Sequence, residues 1–293
     1  MPLTGGGESF IRFGQDDPIT PVILSVPHAG RDYPGPLVAQ ARMGMRALQR
    51  LEDRFADRLV DQVVAAGHSV IIARTARAAI DLNRDEREID PAMIRGLPQG
   101  FPAVASGKMR GGLGLLPRRL QGYGELWRAP FDWADVAHRI EAWHRPYHAA
   151  LVDLMRRARS RHGHAILLDL HSMPPLPPQP GGTPRIVLGD RFGRGASARL
   201  VSDLAALCEG RDIAVARNHP YAGDHVISRH GRPERHFHAV QIEIDRSLYL
   251  DAGLDQPGQG LAAMQGLVMR MVDVAAQALP RLGPRSGFME AAE

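Results

Sequence analysis

Four polar groups stand at or beside the ends of apolar runs in this chain. They are His28 after the run 22–27, Asp81-Leu82-Asn83-Arg84 after Ile80, His171 after the run 166–170, and Glu243 within Gln241-Ile242-Glu243. Two imidazoles, an acid and an arginine are the set that hydrolysis of an anionic amide needs. His28 precedes Ala29-Gly30, which lets the backbone turn tightly away from the imidazole. Alternation along Asp169-Leu170-His171-Ser172 puts Asp169 and His171 on one side of a strand, where the carboxylate can fix the tautomer of a metal-binding histidine. A hydrolytic zinc site uses three protein ligands and an open position. Glu52, Asp53 and Asp57 are the candidates for the third ligand. In a helix over 46–66, Leu48, Leu51, Phe55, Leu59 and Val63 share one side, which places Glu52 near the centre of the apolar face and Asp53 and Asp57 toward the polar one. Asp53 becomes available only if the helix proper begins near it.

Glu243 shares a strand face with Gln241 and Asp245, opposite Val240, Ile242 and Ile244. If that face lines a crevice, Glu243 can take a proton from an attacking water and return it to the leaving amine; otherwise it is an exposed strand face. Asn83-Arg84 offers a planar two-pronged donor for a carboxylate, and Arg77 is a second cation just upstream. The competing reading of Arg84 is a surface ion pair with Asp85 or Glu86.

The elements that must position these groups alternate along the chain. The pattern predicts strands at 22–26, 69–73, 77–82, 165–170, 185–189, 213–216 and 237–244, and helices at about 46–66, 133–161, 196–209 and 259–279. That alternation implies an α/β fold: a mixed, largely parallel sheet with helices on both faces, in three layers. Strand ends of such a sheet open into one crevice, so His28 and Glu243 can meet. Pro146 predicts a kink or break near Arg145. The glycine-rich stretch 91–130 predicts a functional lid without regular structure. The proline-rich segment 174–180 reads as a stiff wall of the pocket or a spacer. No composition shift marks a boundary, so 1–293 reads as one domain.

The 293 residues, 44% of them hydrophobic, suffice for a substantial core. The net charge of +4 comes from 36 basic residues, of which Lys108 is the only lysine, and they are scattered among acids with only 5% aromatic residues. Nucleic acid is therefore disfavoured as a partner. The single cysteine, Cys208, excludes an intramolecular disulfide and a thiolate metal cluster, and reads as a buried helical thiol. No apolar run is long enough for a membrane span, and Gly5-Gly6-Gly7 stand where a signal peptide needs its apolar core, so a cytoplasmic protein is expected.

Eight motifs in order resemble the N-formylglutamate amidohydrolase family over roughly residues 20 to 280. They are Val26-Pro27-His28-Ala29-Gly30, Glu52-Asp53-Arg54-Phe55-Ala56-Asp57, Ile80-Asp81-Leu82-Asn83-Arg84, Gly112-Leu113-Gly114-Leu115-Leu116-Pro117-Arg118, Arg145-Pro146-Tyr147-His148, Asp169-Leu170-His171-Ser172-Met173-Pro174, Val187-Leu188-Gly189-Asp190 and Gln241-Ile242-Glu243-Ile244. That family is similar to the zinc carboxypeptidase and aspartoacylase group, so the resemblance implies a phosphorylase/hydrolase-like α/β fold with one zinc (Zn2+) per chain. It implies His28, Asp53 and His171 as ligands, against the helical-face choice of Glu52. It further implies Glu243 as general base, Arg84 as the clamp on a substrate carboxylate and Arg77 near the oxyanion. The chain departs from the family at Asp224, in Tyr221-Ala222-Gly223-Asp224, where members commonly carry a second glycine. An acid there repels a dicarboxylate product or pairs with His225, which bears on the substrate more than on the chemistry.

The resulting expectation is a hydrolase of N-acyl amino acids, with N-formyl-L-glutamate and water giving formate and L-glutamate, at the glutamate-forming end of histidine breakdown. Arg84 and Asn83, with Arg118 or Arg229, would hold the carboxylates of this small-molecule substrate. A relative acting on another N-acyl amino acid or a peptide C-terminus is the nearest alternative. A non-catalytic metabolite-binding protein is the more distant one, and Glu243 argues against it.

Overall fold

The computed structural model describes residues 9–278. A seven-stranded sheet runs in the order Phe10–Phe13, Ser69–Ala73, Val22–Val26, Ala165–Met173, Phe237–Asp245, Ile186–Gly189, Val215–Arg217. The four strands from Ser69–Ala73 to Phe237–Asp245 are mutually parallel. Phe10–Phe13 is antiparallel to its neighbour, and the Ile186–Gly189 and Val215–Arg217 pair joins antiparallel to Phe237–Asp245. The expected mixed, largely parallel α/β sheet is therefore present, with the short edge strand Phe10–Phe13 in addition.

Both faces of the central strands are buried, which is why they read as nearly unbroken β-branched and leucine runs. Val22, Leu24, Ile166, Leu168, Leu170, Val240, Ile242 and Ile244 pack to one face with helices Ala198–Glu209 and Leu261–Ala278. Ile23, Ile71, Leu167 and Ala239 pack to the other, under helix Arg145–His162 through Leu151, Leu154 and Met155. Ser197 starts its helix by accepting a hydrogen bond from the Leu200 amide at 3.3 Å. Cys208 is buried on that helix, as the sequence suggested.

Four expected features differ. The helix over 46–66 is broken: Met45–Gln49 is helical, the chain then turns, and helical structure resumes as a 3-10 turn at Ala56–Val60 followed by Asp61–Ala65. Phe55 stands at the restart in the left-handed region at φ 54°, its ring flanked by the guanidinium groups of Arg31 and Arg54 at 4.9 and 4.8 Å. The segment 77–82 is a buried loop rather than a strand. Its amides find partners locally and in the long loop, with Asp81 N–H donating to Leu115 O at 2.8 Å and Asn83 N–H to Asp81 Oδ1 at 2.8 Å. The stretch 91–130 contains short pieces of regular structure, including helix Gly107–Arg110 capped by Ser106. At Pro146 the helical course from Trp133 to His162 does not break. It passes through a π turn at Ile140–His144, and Pro146 opens the next helix where a missing N–H is tolerated.

Candidate metal centre and active site

The site grows out of the sheet by a change of residue type along aligned rows. On the face under helix Arg145–His162, Ile23, Leu167 and Ala239 lie in register across three strands and are apolar. Two residues onward the row is Ser25, Asp169 and Gln241, and two further it is His171 beside Glu243. Period-two alternation thus turns one buried apolar face into a polar one at the carboxyl ends of the strands. His28 follows the end of Val22–Val26. Gly30 is required just after it, because a Cβ there would lie 2.1 Å from the Thr75 carbonyl oxygen.

His28, Asp53 and His171 converge, and each is at most 2% exposed. His28 Nδ1 and His171 Nδ1 are 3.1 Å apart, and Asp53 Oδ2 lies 3.6 Å from the first and 3.1 Å from the second. Metal–ligand bonds of about 2.0–2.1 Å in a tetrahedron put its corners roughly 3.3 Å apart, so this triangle has the dimensions of one tetrahedral face. Behind each ring stands a carboxylate. Asp81 Oδ1 accepts from His28 Nε2 at 2.7 Å, and Asp169 Oδ2 accepts from His171 Nε2 at 2.9 Å. Both Nε2 atoms then carry the hydrogen, and both Nδ1 lone pairs face the centre. Asp169 is itself held by Ser25 at 2.7 Å, and Ser25 lies 2.7 Å from the Tyr147 hydroxyl.

The centre attracts positive charge. Burial, the largest influence on Asp53, pushes its carboxyl up, but hydrogen bonds and charge from His171 and His28 outweigh it and hold Asp53 well below the usual carboxylate range. Asp81 is likewise pushed up by burial and drawn well below its ordinary value by the charges of Arg77 and His28. His171 is lowered by burial but raised more by Asp169 and Asp53, ending well above the ordinary histidine value.

The broken helix points Glu52 and Asp53 in different directions. Both are buried, as the apolar-face position of Glu52 suggested. Glu52, however, points away to the Tyr33 hydroxyl and to Arg54 Nη1 at 2.8 Å, while Asp53 in the turn directs Oδ2 at the two imidazoles and Oδ1 at Arg246, its amide donating to His28 O at 2.9 Å. Asp57 pairs with Arg31 at 2.6 Å, away from the centre.

Glu243 is 7% exposed and accepts from Gln241 Nε2 at 2.8 Å. Burial raises its carboxyl above the usual range, and His171 pulls partly against that shift. A cleft of about 200 Å³ contains Glu243 together with the triad, and five cations reach it: Arg50, Arg77, Arg84, Lys108 and Arg246. Three are already paired, Arg77 with Asp81 at 2.8 Å, Arg84 with Asp224 at 3.1 Å and Arg246 with Asp53 at 3.1 Å. Arg50 and Lys108 have no acid within ion-pair distance among the described residues. Asn83 spans the floor, its amide 3.3 Å from His171 Nε2 and 3.2 Å from Gln241 Oε1.

Of the expected substrate-binding groups, Arg84 and Asn83 are at the cleft, but Arg118 and Arg229 do not line it. Arg118 turns to Asp90 at 2.9 Å, and Arg229 is exposed on helix His225–His230. The expected partner of Asp224 is also corrected: it meets Arg84, while His225 Nδ1 lies 3.9 Å from Asp85. Arg50, Lys108, Tyr221 and Arg246 were missed, as was the role of Asp81 behind His28.

Comparison with known proteins gives consistent relatives. The sequence model of the N-formylglutamate amidohydrolase family matches residues 20–250. N-formylglutamate deformylase of Pseudomonas aeruginosa is 28% identical over 237 residues, 79% of this chain and 82% of that protein. The deformylase of the same name from Pseudomonas putida is 29% identical over 236 residues, again 79% of this chain and 82% of that protein. Among solved structures, N-formylglutamate amidohydrolase from Ralstonia eutropha JMP134 superposes with a TM-score of 0.84 at 31% identity, covering 93% of this chain and 99% of that one.

Proposed function

The chain belongs to the N-formylglutamate amidohydrolase family, and from that premise we propose that it hydrolyses the formyl C–N bond of N-formyl-L-glutamate to formate and L-glutamate, using one catalytic zinc held by His28, Asp53 and His171. The observation that carries this reading is the triangle of two Nδ1 atoms and one carboxylate oxygen at 3.1, 3.1 and 3.6 Å, each imidazole backed by a buried carboxylate. Zinc, when bound, supplies Lewis acidity and lowers the pKa of water to about 7.

The chain's own residues supply the rest. Glu243, aligned with His171 on the neighbouring strand, takes the proton of the attacking water and delivers it to the leaving amine. Its raised pKa suits a group that must both accept and release a proton. Arg77, steadied by Asp81, faces the cleft as the donor for the developing oxyanion. Arg84 and Asn83 hold one substrate carboxylate, and the acid-free Arg50 and Lys108 serve the second. The product glutamate and the absence of a membrane-crossing helix among the described residues accord with a cytoplasmic catabolic role.

A second reading rests on Asp224. Because it occupies Arg84 at 3.1 Å, a substrate carboxylate must compete with it, so an N-acyl amino acid other than the glutamate derivative is the alternative substrate. Kinetics on a panel of N-acyl amino acids and their side-chain amides, in wild type and Arg84→Ala, separate the two. N-formylglutamate should show the highest kcat/KM. Arg84→Ala should raise its KM by about tenfold or more and flatten the preference for acids over amides. Equal turnover of the amides by wild type would remove Arg84 as the clamp.

The ligand choice has its own test. Asp53→Ala should lose one equivalent of zinc by elemental analysis, and Glu52→Ala should keep it, though destabilised because the Tyr33 hydroxyl and Arg54 lose a buried partner. Loss in Glu52→Ala alone would reverse the assignment.

A further inference from the structure

Behind the loop that carries Asp81, Asn83 and Arg84 lies a second group of histidines that the proposed hydrolysis does not use. His144 and His148 are fully buried, His230 is 5% exposed, and His225 borders the group from the first turn of helix His225–His230. His144 caps helix Arg145–His162, and its i,i+4 spacing puts it on the same inward side as His148. Ring centroids are 4.5 Å apart for His144 and His148, 5.1 Å for His148 and His225, and 5.7 Å for His144 and His225. The His28 and His171 rings of the first centre are 4.6 Å apart.

Hydrogen bonds to backbone carbonyls fix which nitrogen of His144 and of His148 is bare. His144 Nε2 lies 2.8 Å from Arg84 O and His148 Nε2 lies 3.0 Å from Leu82 O, and a carbonyl only accepts, so both Nε2 atoms carry the hydrogen and both Nδ1 atoms carry lone pairs. His148 Nδ1 then accepts from His230 Nε2 at 2.9 Å. His144 Nδ1 and His225 Nε2 are buried without any hydrogen-bond partner. Two orphaned buried ring nitrogens in one cluster, the His144 one a bare acceptor, are costly unless something binds them. Burial also keeps the rings neutral, lowering His144 and His148, and bringing His225 to about 4 and His230 to about 3.

We propose that His144, His148 and His225 form a second metal site, specific for a divalent transition ion such as zinc and distinct from the hydrolytic centre. One ring nitrogen from each already lies within 4.8 Å of the others. Closing to tetrahedral edges of roughly 3.3 Å takes side-chain adjustments of about an ångström, and His148 exchanges the His230 N–H for the ion. An all-imidazole set selects zinc, copper, nickel or iron over calcium or magnesium. The two carbonyls already fix two of the rings from behind, as outer partners of metal-bound histidines do. A cleft of about 510 Å³, lined by both acids (Asp85, Glu88, Asp224) and cations (Lys108, Arg191), gives access at His225. The two carbonyls that anchor this cluster flank Asn83, so an ion here would tie the loop bearing Asp81 and Arg84 to helix Arg145–His162.

The test is metal stoichiometry of the full chain after equilibration with zinc and removal of excess. Wild type should hold two equivalents, His225→Asn one, and His28→Asn one. Wild type saturating at one equivalent with His225→Asn equal to it overturns the second site while leaving the first intact. Two equivalents in wild type with His28→Asn unchanged would instead overturn the first. Should a variant misfold, anomalous diffraction at the zinc edge from zinc-soaked wild-type crystals decides directly. A peak about 2.0–2.1 Å from His144 Nδ1 and His225 Nε2 supports the site, and its absence with the His28 centre loaded removes it.

Discussion

Glu243→Gln is expected to retain metal and fold while lowering kcat for N-formylglutamate by at least ~10²–10⁴-fold, the usual contribution of general acid–base catalysis, with KM little changed. Gln keeps the size of Glu and can still hydrogen-bond to Gln241, which now holds Glu243 at 2.8 Å, but it cannot accept the proton of the attacking water. The neighbouring Ile242 and Ile244 face the opposite side, so the packing of the strand is untouched. Steady-state kinetics with zinc analysis on the same sample checks this. Near-normal turnover across the substrate panel would mean that another group moves the proton.

His171→Ala is expected to release one equivalent of zinc and to abolish measurable activity, because a three-ligand centre left with one imidazole and one carboxylate no longer holds zinc tightly. The damage extends one layer back. Asp169 is fully buried and loses its imidazole partner, keeping Ser25 at 2.7 Å, so a lower Tm accompanies the loss. His171→Gln is the control, since its longer side-chain amide can reach the position of the lost Nε2–H, keep a donor toward Asp169 and restore part of the Tm without restoring the metal. A variant that keeps the full wild-type zinc content removes His171 from the ligand set.

The central strands were legible because burial on both faces writes itself as short β-branched runs, and the histidines stood out by ending such runs. Glu243 was legible as a face of a strand but not as a buried face, since alternation alone does not say what covers it. The helix over 46–66 misled for a physical reason: Phe55 takes a left-handed conformation without being glycine or asparagine, so no residue type announced the break. Apolar period correctly marked Glu52 as buried, but burial does not give direction, and Asp53 is the acid that the turn aims at the histidines. The run 77–82 looked like a strand because its alanines and Ile80 are buried, yet they fill the core from a loop. Arg50 and Arg246 carried no local signal at all, because only the tertiary approach of their segments brings them to the cleft.

The aligned rows across Val22–Val26, Ala165–Met173 and Phe237–Asp245 make the site a matter of parity. Inserting or deleting one residue upstream in Phe237–Asp245 would carry Glu243 through half a period, out of the cleft and into the apolar side shared with Leu200 and Met271, while an Ile arrived beside His171. Length change in these strands is thus tolerated only in steps of two, and even then the apolar, polar and histidine rows fall out of line with one another. Length change can therefore be absorbed in loops such as 91–130, whereas the residue counts from Leu167 to His171 and from Ala239 to Glu243 must stay matched for His171 and Glu243 to remain side by side.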